Sequence, residues 1–194
     1  AEMASAVGDE QLSVAEQAAT FFRACADSGV ECLAAVIDDS TVPSVLRDIA
    51  GPHTGQRSGS VLELRAMALF ASLAASGDAQ FSPVESRGFL DPVLALWRGD
   101  DPLIKLNAVE LLGSVATNPT GVDWLRVSDV LSDLCVGLDV AVGDDPMADL
   151  LRPAVLGCLA AILDNGGPSA AEYLLGDLHL AMRLWPVIQP RNPP

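Results

Sequence analysis

Phe21-Phe22-Arg23-Ala24-Cys25-Ala26-Asp27-Ser28-Gly29 reads as the end of an amphipathic helix, a run of apolar and small residues closed by Ser and Gly. The same ending returns as Leu69-Phe70-Ala71-Ser72-Leu73-Ala74-Ala75-Ser76-Gly77, as Leu111-Leu112-Gly113-Ser114-Val115-Ala116-Thr117-Asn118-Pro119, and as Cys158-Leu159-Ala160-Ala161-Ile162-Leu163-Asp164-Asn165-Gly166. The closing residues Ser28, Ser76, Asn118 and Asn165 stand 48, 42 and 47 positions apart. Self-similarity at such a period marks stacked helical units, each too small to bury its apolar face except against its neighbours.

The spacing falls close to the roughly 40–47-residue window of armadillo and HEAT repeats. The expected fold is therefore all-α: a right-handed α-solenoid of about four armadillo/HEAT-like repeats, one elongated module without β-sheet. Composition agrees, since 50% of the 194 residues are hydrophobic but only 5% aromatic, which leaves Ala, Leu and Val to pack helix on helix. The repeat domain is expected over 10–185, between a flexible N-terminus at 1–9 and a Pro-rich tail at 186–194. A Gly-rich polar stretch, Gly51 to Gly59, reads as a flexible loop before the second long helix.

Each period leaves room for a short helix, a second helix and a long third one, which is the armadillo arrangement. In the third unit these read as 121–125, 128–138 and 146–163. Asp101-Pro102 and Asp145-Pro146 supply helix starts: the aspartate carboxylate accepts orphan N–H groups, and proline at the first helical position has no N–H to leave unsatisfied. The doublets Asp100-Asp101 and Asp144-Asp145 also invite a metal reading, but adjacent side chains at a helix start rarely converge on one ion, so capping is the better account. Pro153, inside the fourth long helix, removes one backbone hydrogen bond and predicts a kink or two helices in place of one.

The helix beginning at Pro102 separates its faces. Ile104, Ala108, Leu111, Leu112 and Val115 follow helical spacing and form an apolar stripe, with Leu111 at its centre. Asn107, Glu110, Ser114 and Thr117 lie opposite. In the second unit Leu62, Ala66, Leu69, Phe70 and Leu73 take the apolar part, with Glu63 and Ser72 outside and Arg65 placed as Asn107 is. Third helices line the concave side of an armadillo solenoid, so the residues expected to meet a partner are Arg65, Lys105, Asn107 and Glu110.

The formal charge of −15, from 26 Asp and Glu against 11 Lys and Arg, repels phosphate backbones and anionic lipid surfaces and favours neutral or basic protein partners. No nucleic-acid or membrane partner is expected. Mean hydropathy is +0.34, yet the longest apolar runs, such as Val155 to Leu163, are about half the ~20 residues a bilayer requires. The N-terminus shows no basic or apolar signal region. It opens on Ala1, as a processed or trimmed chain would, and Leu178 to Trp185 reads as a repeat helix whose next neighbour is missing, as in a portion of a longer solenoid. Cys25, Cys32, Cys135 and Cys158 form no C-x-x-C pair and read as reduced core residues, so the expected compartment is the cytoplasm, and also the nucleus.

No catalytic or cofactor motif is present: no G-x-S-x-G, P-loop, G-x-G-x-x-G or H-E-x-x-H. His53 and His179 have no cysteine or histidine at ligand spacing, so no zinc site is expected. Trp97, Trp124 and Trp185 read as packing anchors. The expectation is a protein with no catalytic residues and no cofactor.

A longer pattern joins the last two units. Gly99-Asp100-Asp101-Pro102-Leu103-Ile104-Lys105-Leu106-Asn107-Ala108-Val109-Glu110-Leu111-Leu112 leads to Thr117-Asn118-Pro119-Thr120-Gly121-Val122-Asp123-Trp124-Leu125 and to Val130-Leu131-Ser132-Asp133-Leu134. Asp145-Pro146-Met147 follows, with Pro153 seven residues into the helix. Over about residues 88–185 this resembles the proteasome non-ATPase subunit 5 family of assembly chaperones; residues 1–87 match in repeat rhythm only. The resemblance implies a non-enzymatic solenoid that binds the C-terminal domain of a proteasomal ATPase subunit and holds a precursor of the regulatory-particle base. The alternative is an armadillo-type adaptor, a nucleotide-exchange factor for a heat-shock chaperone or a transport adaptor. Transport adaptors carry repeated Trp and Asn pairs along the groove, whereas Asn107 has no regular Trp partner.

Overall fold

The computed structural model describes residues 2, 6, 12–37, 48, 61–139 and 143–188. The expected N-terminal segment 1–9, apart from residues 2 and 6, the Gly51–Gly59 loop and the tail beyond residue 188 lie outside the described residues. The described helices are α1 (Leu12–Asp27), α2 (Val30–Ile37), α3 (Val61–Ala75), α4 (Asp78–Glu85), α5 (Asp91–Arg98), α6 (Pro102–Val115), α7 (Pro119–Val127), α8 (Val130–Val136), α9 (Pro146–Asn165), α10 (Gly167–Glu172) and α11 (Leu180–Ile188). A π-helical turn, Tyr173–Asp177, joins α10 to the stretch before α11. No strand occurs among the described residues.

The long helices α1, α3, α6 and α9 pack one on the next, and the short helices α2, α4, α7 and α10 form a second row in the same order. Helices α5 and α8 lie against the long helices that follow them, α6 and α9. The result is an all-α solenoid of three-helix units with one continuous core, which includes Phe22, Phe70, Phe89, Leu112, Leu125 and Ile162. Phe70 of α3 and Phe89, just before α5, stack with ring centroids 4.6 Å apart.

Local chemistry starts the helices as expected. The Asp101 carboxylate accepts from the Leu103 and Ile104 N–H groups at 2.9 and 3.3 Å, and Asp145 accepts from Met147 N–H at 2.8 Å. The four helix endings, similar in sequence, perform different tasks. Gly29 and Gly77 take φ of 121° and 154°, where a side chain would be strained, so the chain leaves α1 and α3 sharply. Asn118 instead begins α7, accepting from Gly121 N–H at 2.8 Å. A Cβ on Gly121 would fall 2.0 Å from the Val115 carbonyl oxygen, so only glycine fits that junction.

Free carbonyls at helix C-termini are taken by side chains from other helices, which ties unit to unit. Gln80 donates to Ala26 O at 3.1 Å and Asn118 to Ala74 O at 2.9 Å, equivalent bonds one repeat apart. Arg87 reaches Ile37 O, Arg98 reaches Ser128 O and Arg183 reaches Cys135 O.

Several expectations are corrected. Glu63 is buried, at 1% exposure; it lies in the first turn of α3, where the helix dipole favours a carboxylate. Leu111 is half-buried, whereas Ala108, Val109, Leu112 and Val115 are the fully enclosed residues of α6. Trp97 is buried and Trp124 packs edge-on to Phe81, but Trp185 is exposed, as is Met182 beside it on α11. Cys25, Cys135 and Cys158 are free and buried, whereas Cys32 is free and exposed. Helix α9 runs unbroken through Pro153, and α11 continues past Trp185 to Ile188. By length and composition α9, 20 residues with hydropathy 1.5, is long enough and apolar enough to cross a membrane. Its charges, Asp149, Arg152 and Asp164, lie toward its two ends, and the apolar run between them is shorter than the helix. It packs as a rung on α6 and carries an Asp149–Arg152 ion pair at 3.2 Å.

Candidate functional site

Packing long helix on long helix leaves furrows between the rungs. Between α3 and α6 lies a furrow of about 380 Å³ with Val61, Leu64, Arg65 and Ala68 on one wall and Asn107, Glu110 and Leu111 on the other. Three of the four residues expected to meet a partner are thus brought together on one face. Asn107 and Glu110 are exposed and Arg65 is half-buried. The amide of Asn107 donates to Leu103 O at 2.9 Å, one turn back on its own helix. The furrow offers a cation on one wall, a carboxylate on the other and an aliphatic floor between them, which suits a peptide segment more than a small reactive molecule.

Lys105 is not brought to this group. It stands over the Trp97 ring, 5.5 Å from its centroid, and lines a different cleft of about 660 Å³ with Arg98, Asp133, Met147 and Arg152. The sequence pattern placed it near Asn107 because the two are close along the chain. Residues two apart on a helix point some 200° apart around its axis.

A third furrow, of about 530 Å³, runs between α6 and α9 and shares Glu110 with the first. Its walls include Val109, Gly113, Ala154, Gly157 and Cys158. Sequence reasoning followed polar side chains and missed this furrow, which small residues open; Gly113 and Gly157 on successive long helices were the available signal. Burial pushes the Cys158 thiol up to about 12, so this wall stays uncharged at neutral pH. No group of three or more His, Cys, Asp or Glu side chains placed to hold a metal occurs among the described residues. The Asp101 and Asp145 carboxylates are engaged as helix caps.

No protein-family model matches the sequence, and no curated protein matches it. Among solved structures the chain is similar to an engineered protein, with 18% identity and a TM-score of 0.61 over 98% of this chain and 74% of that one. It is also similar to a designed armadillo repeat protein solved in complex with the peptide (KR)4, with 15% identity and a TM-score of 0.53 over 96% of this chain and 79% of that one. These likenesses show the fold, an armadillo-type α-solenoid.

Proposed function

We propose that this chain is a non-enzymatic protein-binding solenoid whose long-helix face holds a basic segment of its partner. The observation that carries the reading is the convergence of Arg65, Asn107 and Glu110 on one furrow between successive long helices. The net charge of −15 favours a basic partner over an acidic one, and the designed armadillo protein similar in fold was solved with a peptide of Lys and Arg. The resemblance over residues 88–185 supports a finer reading: a chaperone of proteasome regulatory-particle base assembly that binds the C-terminal domain of an ATPase subunit. Free cysteines suit a reducing compartment, the cytoplasm or nucleus.

The test is a calorimetric titration of a proteasomal ATPase C-terminal domain into wild type and into an Asn107→Ala, Glu110→Lys double variant. Loss and reversal of exposed groups on the contact face should weaken binding about tenfold, with an unchanged melting temperature. Binding should also weaken with added salt, since exposed charges beyond ~8 Å interact little at physiological ionic strength. Unchanged affinity in the variant moves the site to another face. Absence of wild-type binding rejects the chaperone reading.

A further inference from the structure

The furrow between α6 and α9 differs in chemistry from the one between α3 and α6. Leu106 and Val109 form one wall and Leu150 and Ala154 the other. The two hydroxyls in it are turned back onto their own helix: Ser114 donates to Glu110 O at 3.2 Å and Thr117 to Ser114 O at 2.8 Å. Helix α9 approaches α6 where a Cβ on Gly113 would sit 3.7 Å from Cys158 Cα, whereas a Cβ on Gly157 would meet nothing within 4 Å. The furrow is therefore narrow at Cys158 and open at Gly157. Glu110, exposed on the ridge of α6, lines both furrows.

We propose that the α6–α9 furrow is an anchor pocket for one aliphatic side chain of the bound segment, carried one or two residues from a Lys or Arg that pairs with Glu110. Packed helices lie about 8–10 Å apart and an extended chain advances about 3.3 Å per residue, so the half-spacing from the furrow to the ridge that carries Glu110 spans about one or two residues. Apolar walls with no free hydroxyl reward a side chain that leaves water. The carboxylate at the rim selects a cation beside it. The inference rests on the reading of a basic partner and adds to it a specificity that charge alone does not supply.

Two labelled octapeptides of alternating Lys and Arg, one with Leu and one with Ser at the fourth position, test it by fluorescence anisotropy. Their charges are equal, so the difference in affinity reports the pocket. The wild type should prefer the Leu peptide by about tenfold, the scale of burying one aliphatic side chain. Gly157→Leu should fill the pocket and bring the two peptides to equal affinity while the Ser peptide binds as before. Ser114→Leu fills it from the opposite wall and serves as a second variant if the first melts below wild type. Equal wild-type affinity for both peptides overturns the anchor pocket and leaves the basic-segment reading standing. A Leu preference that survives both fillings also overturns it. If neither peptide binds, the basic-segment reading fails and the pocket with it.

Discussion

The side-chain amide of Asn118 donates to the carbonyl of Ala74 at 2.9 Å, while its oxygen accepts from Gly121 N–H at 2.8 Å. One buried side chain thus closes α3 and opens α7. Replacing it with Ala removes a helix cap, worth ~0.5–2 kcal/mol, and leaves a carbonyl without its partner, at a cost of ~1–3 kcal/mol. Asn118→Ala should lower unfolding free energy by about 2–3 kcal/mol in urea denaturation, and Gln80→Ala, at the equivalent but half-buried bond to Ala26, by about 1 kcal/mol. Equal effects would show that burial of the bond is not what sets its worth.

Leu112, fully buried, and Leu111, half-buried, are neighbours with different exposure. Leu112→Ala should cost roughly 2–5 kcal/mol through lost burial and a residual cavity. Leu111→Ala should cost less, and exposed Glu110→Ala should stay within about 0.5 kcal/mol. Thermal melts of the three variants check the order.

Gly157 and Gly121 predict opposite outcomes for the same substitution. Gly157→Ala puts a methyl into open space in the middle of α9 and should stabilise by about 0.5–1 kcal/mol. Gly121→Ala forces a Cβ to 2.0 Å from the Val115 carbonyl oxygen and should destabilise severely or prevent folding. Differential scanning calorimetry distinguishes the two; a stable Gly121→Ala protein would show that the junction between α6 and α7 is looser than described.

Burial raises the Cys158 thiol from its ordinary 9.0 to about 12. The neutral form is favoured in the fold, so the unfolded chain gives up its proton first. The resulting stability is fully present below pH 9 and is lost as pH rises toward 12, by at most about 1.4 kcal/mol per pH unit. Cys25 and Cys135 are also raised, chiefly by burial, and act with the same sign. Between pH 8 and 10.5 the melting temperature of wild type should fall more steeply than that of Cys158→Ala. Parallel curves would contradict this.

The solenoid was legible in the sequence because its causes are local: aspartate caps before proline, small residues at helix ends and apolar stripes at helical spacing. Exposure at single positions was not, since it depends on which neighbour packs where. Glu63 entered the interior at the start of α3, and Val109, which faces α9, is fully buried. The furrow between α3 and α6 was half legible. Arg65, Asn107 and Glu110 follow from helix faces, and so does the separation of Lys105 from them; its seat over Trp97, by contrast, required the three-dimensional placement of α5. The second furrow is made by the absence of side chains, which a search for chemical groups passes over.

The central claim is that the long-helix face, and not the Trp97 cleft, receives the partner. Amide chemical-shift mapping of the chain during titration with an alternating Lys-Arg octapeptide tests it most directly. The account predicts shifts concentrated at Arg65, Ala68, Asn107, Glu110 and Leu111, fading as salt is added. Shifts concentrated instead at Trp97, Lys105, Met147 and Arg152 would contradict it.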